Sequence, residues 1–126
     1  LNEANTRGQG DRFCIAAGAG LLALAILLGA FATHALKARL TPAELGWWQT
    51  AVQYQLANAV GLLALASLGT RRVVPRLIVA GTVLFSGSLY FMALTGLKGA
   101  GIVTPVGGLL MIAGWCWIAW QAMRRG

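Results

Sequence analysis

One histidine, two cysteines and three carboxylates are the metal-ligating side chains of this 126-residue chain, and they are few for acid–base chemistry as well. A metal site needs several His, Cys or carboxylate donors around one ion. His34 has no second histidine beside it, and Cys14 and Cys116 are far from it along the chain. Glu3, Asp11 and Glu44 fall in separate polar segments, so no pair of carboxylates is set up for general acid–base work. A hydroxyl next to His34 lacks the third, orienting acid of a catalytic constellation. Haem ligation by His34 without a CxxCH attachment motif is equally unsupported. The sequence therefore assigns no catalytic residue, no cofactor and no metal. What it does offer is a set of hydrogen-bonding side chains in unusually apolar surroundings.

Those surroundings define the elements that must position them. The chain is 58% hydrophobic and 10% charged, against about 25% charged for a soluble domain. Its charges act as punctuation. Arg12 to Lys37, Glu44 to Arg71, Arg76 to Lys98 and Lys98 to Arg124 bound four charge-free intervals. Each meets the roughly 20 residues needed to cross a hydrocarbon core. The expectation is an all-α integral membrane four-helix bundle, one domain over residues 1–126, with spans near 13–36, 47–68, 75–96 and 104–123. The first apolar stretch is longer than a signal-peptide core of about 7–15 residues, so it reads as a retained span. Arg7, Arg12, Arg71, Arg72, Arg76, Arg124 and Arg125 share one side of this threading, and Lys37, Arg39 and Lys98 the other. The positive-inside rule then predicts both termini in the cytoplasm, N-in and C-in. The net charge of +7 is thus a topology signal that also suits an anionic lipid surface. Nucleic-acid binding is not indicated, because the basic residues come in ones and twos without an aromatic platform.

Local chemistry marks the helix ends. Thr41, Pro42 and Glu44 form a capping box with proline at the first helical position. Trp47 and Trp48 follow, a pair suited to the outer headgroup belt. Thr104 and Pro105 predict the same cap-then-proline start for the fourth helix, and Gly69 and the segment GLKGAG read as turns. Trp115, Trp117 and Trp120 suit an inner aromatic belt, although Trp115 is deep enough to face a neighbouring helix instead. The two cysteines are expected at different depths, hence reduced.

In lipid, helices associate by close backbone approach and by hydrogen bonds. Gly20 and Gly29 in the first helix, Gly61 in the second, Ser86, Gly87 and Ser88 in the third, and Gly107, Gly108 and Gly114 in the fourth are the candidate packing positions, read as internal seams. Thr82, Ser86 and Tyr90 recur every four residues on one stripe. Their hydroxyls either bond between helices and to i−4 carbonyls or line a polar path. At the outer half, His34, Gln53, Tyr54, Asn58 and Thr104 form the candidate polar cluster. The second helix's polar residues spread over about 240°, so they do not form a clean pore stripe. For His34 the default is a structural hydrogen bond to helix two or four, with a pH-responsive role as the alternative.

The segments GAFATHALK (29–37), WQTAVQYQLANAVGLL (48–63), LFSGSLYFMALTG (84–96) and IVTPVGGLLMIAGW (102–115) together resemble, in order and spacing, the YgdD-like family of small bacterial inner-membrane proteins. That family is related to eukaryotic transmembrane protein 256 and has no established activity. The resemblance implies a multi-pass protein of the bacterial cytoplasmic membrane. This chain departs from the family pattern at Ala32 and Thr33, and carries Asn58 where relatives often have histidine, which removes a possible partner for His34. Three functions stay open. The first is an accessory or structural subunit that packs against a larger membrane complex or organises membrane lipid. The second is a homo-oligomeric small-solute or ion transporter with the polar cluster as vestibule. The third is a quinone- or lipid-binding protein using the region of Ser86, Ser88 and Tyr90.

Overall fold

The computed structural model describes residues 3–125, with side chains from Asp11 onward. The side chains of Glu3 and Arg7 therefore lie outside the described residues. Among these residues the chain is all helical. Helix α1 (Glu3–Phe31) runs directly into a π turn (Ala32–Leu36). Helices α2 (Pro42–Leu65) and α3 (Val73–Thr95) follow, then a 3-10 turn (Lys98–Ile102) and α4 (Val103–Arg125). Three stretches are long and apolar enough to cross a membrane: Asp11–Leu36, Val73–Thr95 and Lys98–Arg125. The 24 residues of α2 reach about 36 Å, which is also sufficient in length. Its amides and hydroxyls lower its hydropathy.

Burial accommodates two of them, Gln55 and Asn58, while Gln49 and Gln53 are exposed. The buried residues of α2 are Trp48, Ala51, Val52, Gln55, Asn58, Ala59, Leu62 and Leu65, a broad stripe at helical spacing. Helix α3 buries a similar stripe from Val74 to Ala93. By contrast the described side chains of α1 are buried only at Cys14, Gly18 and Ala25, with Ala32 following in the π turn, and those of α4 only at Gly107, Met111 and Gly114. The inner pair is therefore α2 and α3, with α1 against α2 and α4 against α3. Large apolar side chains such as Ile26, Leu27, Leu109 and Ile112 point outward, as lipid-facing surface requires.

Antiparallel threading sorts the ends. Cys14, Leu62, Leu65, Val74 and Ile78 form one core cluster, with Trp115 and Ile118 packed on it. Ala32, Leu36, Trp48, Val52 and Ala93 form another. Beyond the first cluster lie Arg12, Arg71, Arg72, Arg124 and Arg125, with Arg76 beside it on α3; beyond the second lie Lys37, Arg39 and Lys98. These are called below the arginine end and the Trp48 end.

Several boundary expectations meet their geometry here. Thr41 caps α2, its Oγ1 accepting from the Glu44 amide at 3.2 Å, with Pro42 in the first turn. Gly96 closes α3 at φ 72°, its amide bonding the Met92 carbonyl at 2.8 Å. Two expectations are corrected. Helix α4 starts at Val103, after a 3-10 turn, so Thr104 lies within its first turn and its hydroxyl bonds Ser88 instead of acting as a cap. The GAFATHALK segment leaves α-helical pitch: Lys37 donates to the Ala32 carbonyl at 3.0 Å, five residues back. That wide turn lets both Ala32 and Leu36 stay buried against the Trp48 cluster.

Backbone approach is closest between α3 and α4. A Cβ on Gly81 would stand 2.7 Å from the Gly107 carbonyl oxygen, and one on Gly107 would strike the Phe85 backbone. Gly61 accommodates the edge of the Trp115 indole, and Gly114 sits against Ile78. Gly29 makes ordinary contact with Val52, and Gly108 with Phe85. The seam expected at Gly20 and Gly87 is not where those residues point: a side chain on either would meet nothing within 4 Å. Gly18 holds the α1–α2 contact instead, against Leu63 and the Ala59 carbonyl. Cys14 and Cys116 are both free thiols, the first buried and the second exposed, on helices α1 and α4 that do not contact one another.

Candidate functional site

The polar side chains of α2 bind the helices together. Gln55 is the central one: its Nε2 donates to the Leu21 carbonyl of α1 at 2.9 Å, and its Oε1 accepts from the Tyr90 hydroxyl of α3 at 2.7 Å. One amide thus joins three helices. A turn toward the Trp48 end, Ser86 Oγ donates to the Ala51 carbonyl at 2.8 Å. Trp48 Nε1 donates to the Leu28 carbonyl at 2.9 Å. Trp48 is therefore a packing residue, 3% exposed, and not the belt residue its sequence context suggests. Its ring meets Tyr90 edge-on at 4.6 Å.

Toward the arginine end, Asn58 Nδ2 donates to the Tyr54 carbonyl and Oδ1 accepts from Trp115 Nε1, both at 2.8 Å. Trp115 faces a neighbouring helix, whereas Trp117 and Trp120 are outward. Ser88 and Thr104 share a short hydroxyl–hydroxyl hydrogen bond between α3 and α4. Thr82 Oγ1 donates to the Ile78 carbonyl four residues back, at 2.7 Å. No buried side-chain nitrogen or oxygen among the described residues lacks a partner. That is the condition for placing amides and hydroxyls where water is absent.

The candidate cluster accordingly divides into separate places. His34 is exposed in the π turn. Gln53 lines a shallow groove of about 410 Å³ with Gly29, Thr33, Trp48 and Gln49, on the seam of α1 and α2. Tyr54 is outward, its ring 4.6 Å from that of Phe85. Tyr54 and Asn58 border a second, larger cleft of about 740 Å³ between α2 and α4, with Gly61, Gly108, Met111 and Trp115 as further walls. Thr104 lies with Ser88, on the α3–α4 contact. Among the described residues no three His, Cys, Asp or Glu side chains gather into a potential metal site.

Sequence reasoning gave Gln55 and Trp115 no leading role. The available signal was position. Gln55 falls at i+4 from Ala51 and i−4 from Ala59, on the stripe of small residues that α2 must bury.

The fold and its polar seams define a multi-pass helical membrane protein with no assembled catalytic constellation among the described residues. Residues 28–108 match the model of a family described as protein of unknown function DUF423, and the chain belongs to that family. It is 40% identical to the UPF0382 inner membrane protein YgdD of Escherichia coli K12, over 79% of this chain and 80% of that one. It is 38% identical to the UPF0382 membrane protein YwdK of Bacillus subtilis, over 80% and 88% respectively. It is 41% identical to a UPF0382 membrane protein of Staphylococcus saprophyticus, over 73% and 81%. The YgdD-like resemblance and the inner-membrane location hold. No solved structure matches the chain.

Proposed function

We propose that this protein is a non-catalytic accessory subunit: a four-span bundle, N-in and C-in, that packs laterally against a larger membrane complex or orders the lipid around it. The observation that carries this reading is the consumption of polar groups. Gln55, Asn58, Ser86, Ser88, Tyr90 and Thr104 all spend hydrogen bonds on holding helices together. A transport path needs polar groups left over for a solute, and intramembrane ionisable residues are its usual mark. The lipid-facing surface, by contrast, is apolar and grooved, with the α2–α4 cleft wide enough to seat a side-chain ridge of another helix. Treating α2 as the fourth span is supported by its length and by the pairing of its buried polar atoms.

The threading has a direct check. A fluorescent-protein fusion at the C-terminus should fluoresce, and an alkaline phosphatase fusion there should be inactive, whereas phosphatase inserted at Lys98 should be active. The reverse pattern would refute N-in/C-in. For the accessory role, a tagged copy expressed at its natural level and recovered in native nanodiscs should carry a stoichiometric larger membrane partner by mass spectrometry. Recovery of the chain only with itself would overturn that role. A solute-flux activity abolished by alanine at His34 and Gln53, both outside the structural hydrogen bonds, would establish transport in its place.

A further inference from the structure

We propose that the cleft at the arginine end of α4 is a binding site for the phosphate of an anionic phospholipid headgroup. The cleft encloses about 330 Å³ between Arg71, on the turn joining α2 and α3, and Trp117, Trp120, Gln121, Arg124 and Arg125 of α4. Two of the three guanidinium groups are held by aromatic faces: Arg71 lies 5.9 Å from the Trp117 ring centroid and Arg124 4.8 Å from that of Trp120. The two indoles are themselves in contact, centroids 5.1 Å apart. One aromatic pair thus fixes cations from two distant parts of the sequence around a single cavity. A cation–π contact uses no hydrogen-bond acceptor, so the N–H groups of these arginines remain available for phosphate oxygens.

Among the described residues the charge in the cleft is unbalanced, since no carboxylate lines it. Asp11, at the same end, sits on α1, which packs against α2 and not α4. Helix α3 starts beside Arg71 without a side-chain cap and with no acid in its first turn, so the positive end of its dipole adds to the field. Gln121 supplies a neutral donor. Three cations confined together repel one another unless an anion is present. Arginine, whose planar fork pairs with phosphate at two points, is the side chain suited to that anion.

Location selects the source of the phosphate. Helix α4 is apolar enough to span a membrane, and the cleft is at its end. Trp117 and Trp120 are 37% and 44% exposed there, the placement of indoles at a headgroup boundary. An anion presented at that depth is one carried on acyl chains. The inference rests on α4 being a span, which the fusion experiment above tests separately.

The test uses the full chain in nanodiscs containing equal amounts of phosphatidylglycerol and phosphatidylcholine, followed by native mass spectrometry of retained lipid. Phosphatidylglycerol should be retained preferentially, and Arg71→Gln with Arg124→Gln should reduce that preference about tenfold or more, since each basic residue at a surface is worth roughly a factor of five. Arg39→Gln with Lys98→Gln, at the other end, should leave it unchanged. Equal retention of the two lipids by the unaltered chain would overturn the proposal, as would a preference that survives the double arginine variant. Loss of the preference on adding inorganic phosphate, with phosphate itself retained by the protein, would assign the site to a free anion and overturn the lipid reading. Both variants change exposed side chains, and unaltered thermal unfolding would show that they fold.

Discussion

Gly107→Ala is expected to destabilise the detergent-solubilised protein by about 2 kcal/mol, although alanine is the better helix former by about 1 kcal/mol. The added methyl would meet backbone on α3: the Phe85 amide and Cα, and the Gly81 carbonyl oxygen at 2.7 Å. Backbone cannot rotate away as a side chain can, so α3 and α4 must separate along their length. Separation strains the Ser88–Thr104 bond and loosens Gly114 from Ile78. Gly20→Ala makes the same chemical change where the new methyl meets nothing within 4 Å, and it should leave stability unchanged or raise it. Thermal unfolding of the two variants side by side decides the matter. Equal effects would mean that the α3–α4 seam is not held by backbone contact.

Gln55→Leu should destabilise by about 2 kcal/mol, because it strands the Tyr90 hydroxyl in an apolar interior and removes the donor to the Leu21 carbonyl. Adding Tyr90→Phe to Gln55→Leu should recover part of the loss, since removing both partners of a buried hydrogen bond costs less than orphaning one. Gln53→Leu, two residues away and exposed on the α1–α2 groove, should be neutral within about 0.5 kcal/mol. Denaturation measured across this set separates an interior clamp from a merely polar stretch of helix. A Gln55 variant indistinguishable from the Gln53 variant would mean that the Gln55 amide does not hold the three helices together.

The helix pattern was legible in the sequence because charge is too costly in lipid to be placed at random, and of the capping box expected at Thr41 the half in which its hydroxyl accepts from the Glu44 amide is present. Side-chain direction was less legible. Trp48 reads as an interfacial tryptophan, but its indole finds the Leu28 carbonyl, and only the neighbouring helix supplies that acceptor. Gly20 and Gly87 sit in small-residue patterns identical in kind to that of Gly107, and spacing alone does not say which face meets a partner. The polar residues of α2 suggested a shared cluster because they lie within three turns of one helix. Their directions differ enough that Gln53 faces the α1 seam, Gln55 the interior and Asn58 α4. Hydropathy sets α2 apart from the three span-like stretches, because amides such as Gln53 and Gln55 lie on both its exposed and its buried sides.

Nearly every helix–helix contact joins elements adjacent in the sequence: α1 with α2, α2 with α3, α3 with α4. Such a chain can assemble in the order of its synthesis, each emerging helix finding its template already in place, and no closing step has to bring the first helix to the last. Among the described residues the one side-chain bond that skips a helix, Trp115 to Asn58, becomes available only when α4 is complete past its midpoint. It acts as a latch on an otherwise sequential assembly, fastening the final helix to the second and leaving the first and last free along their outer sides.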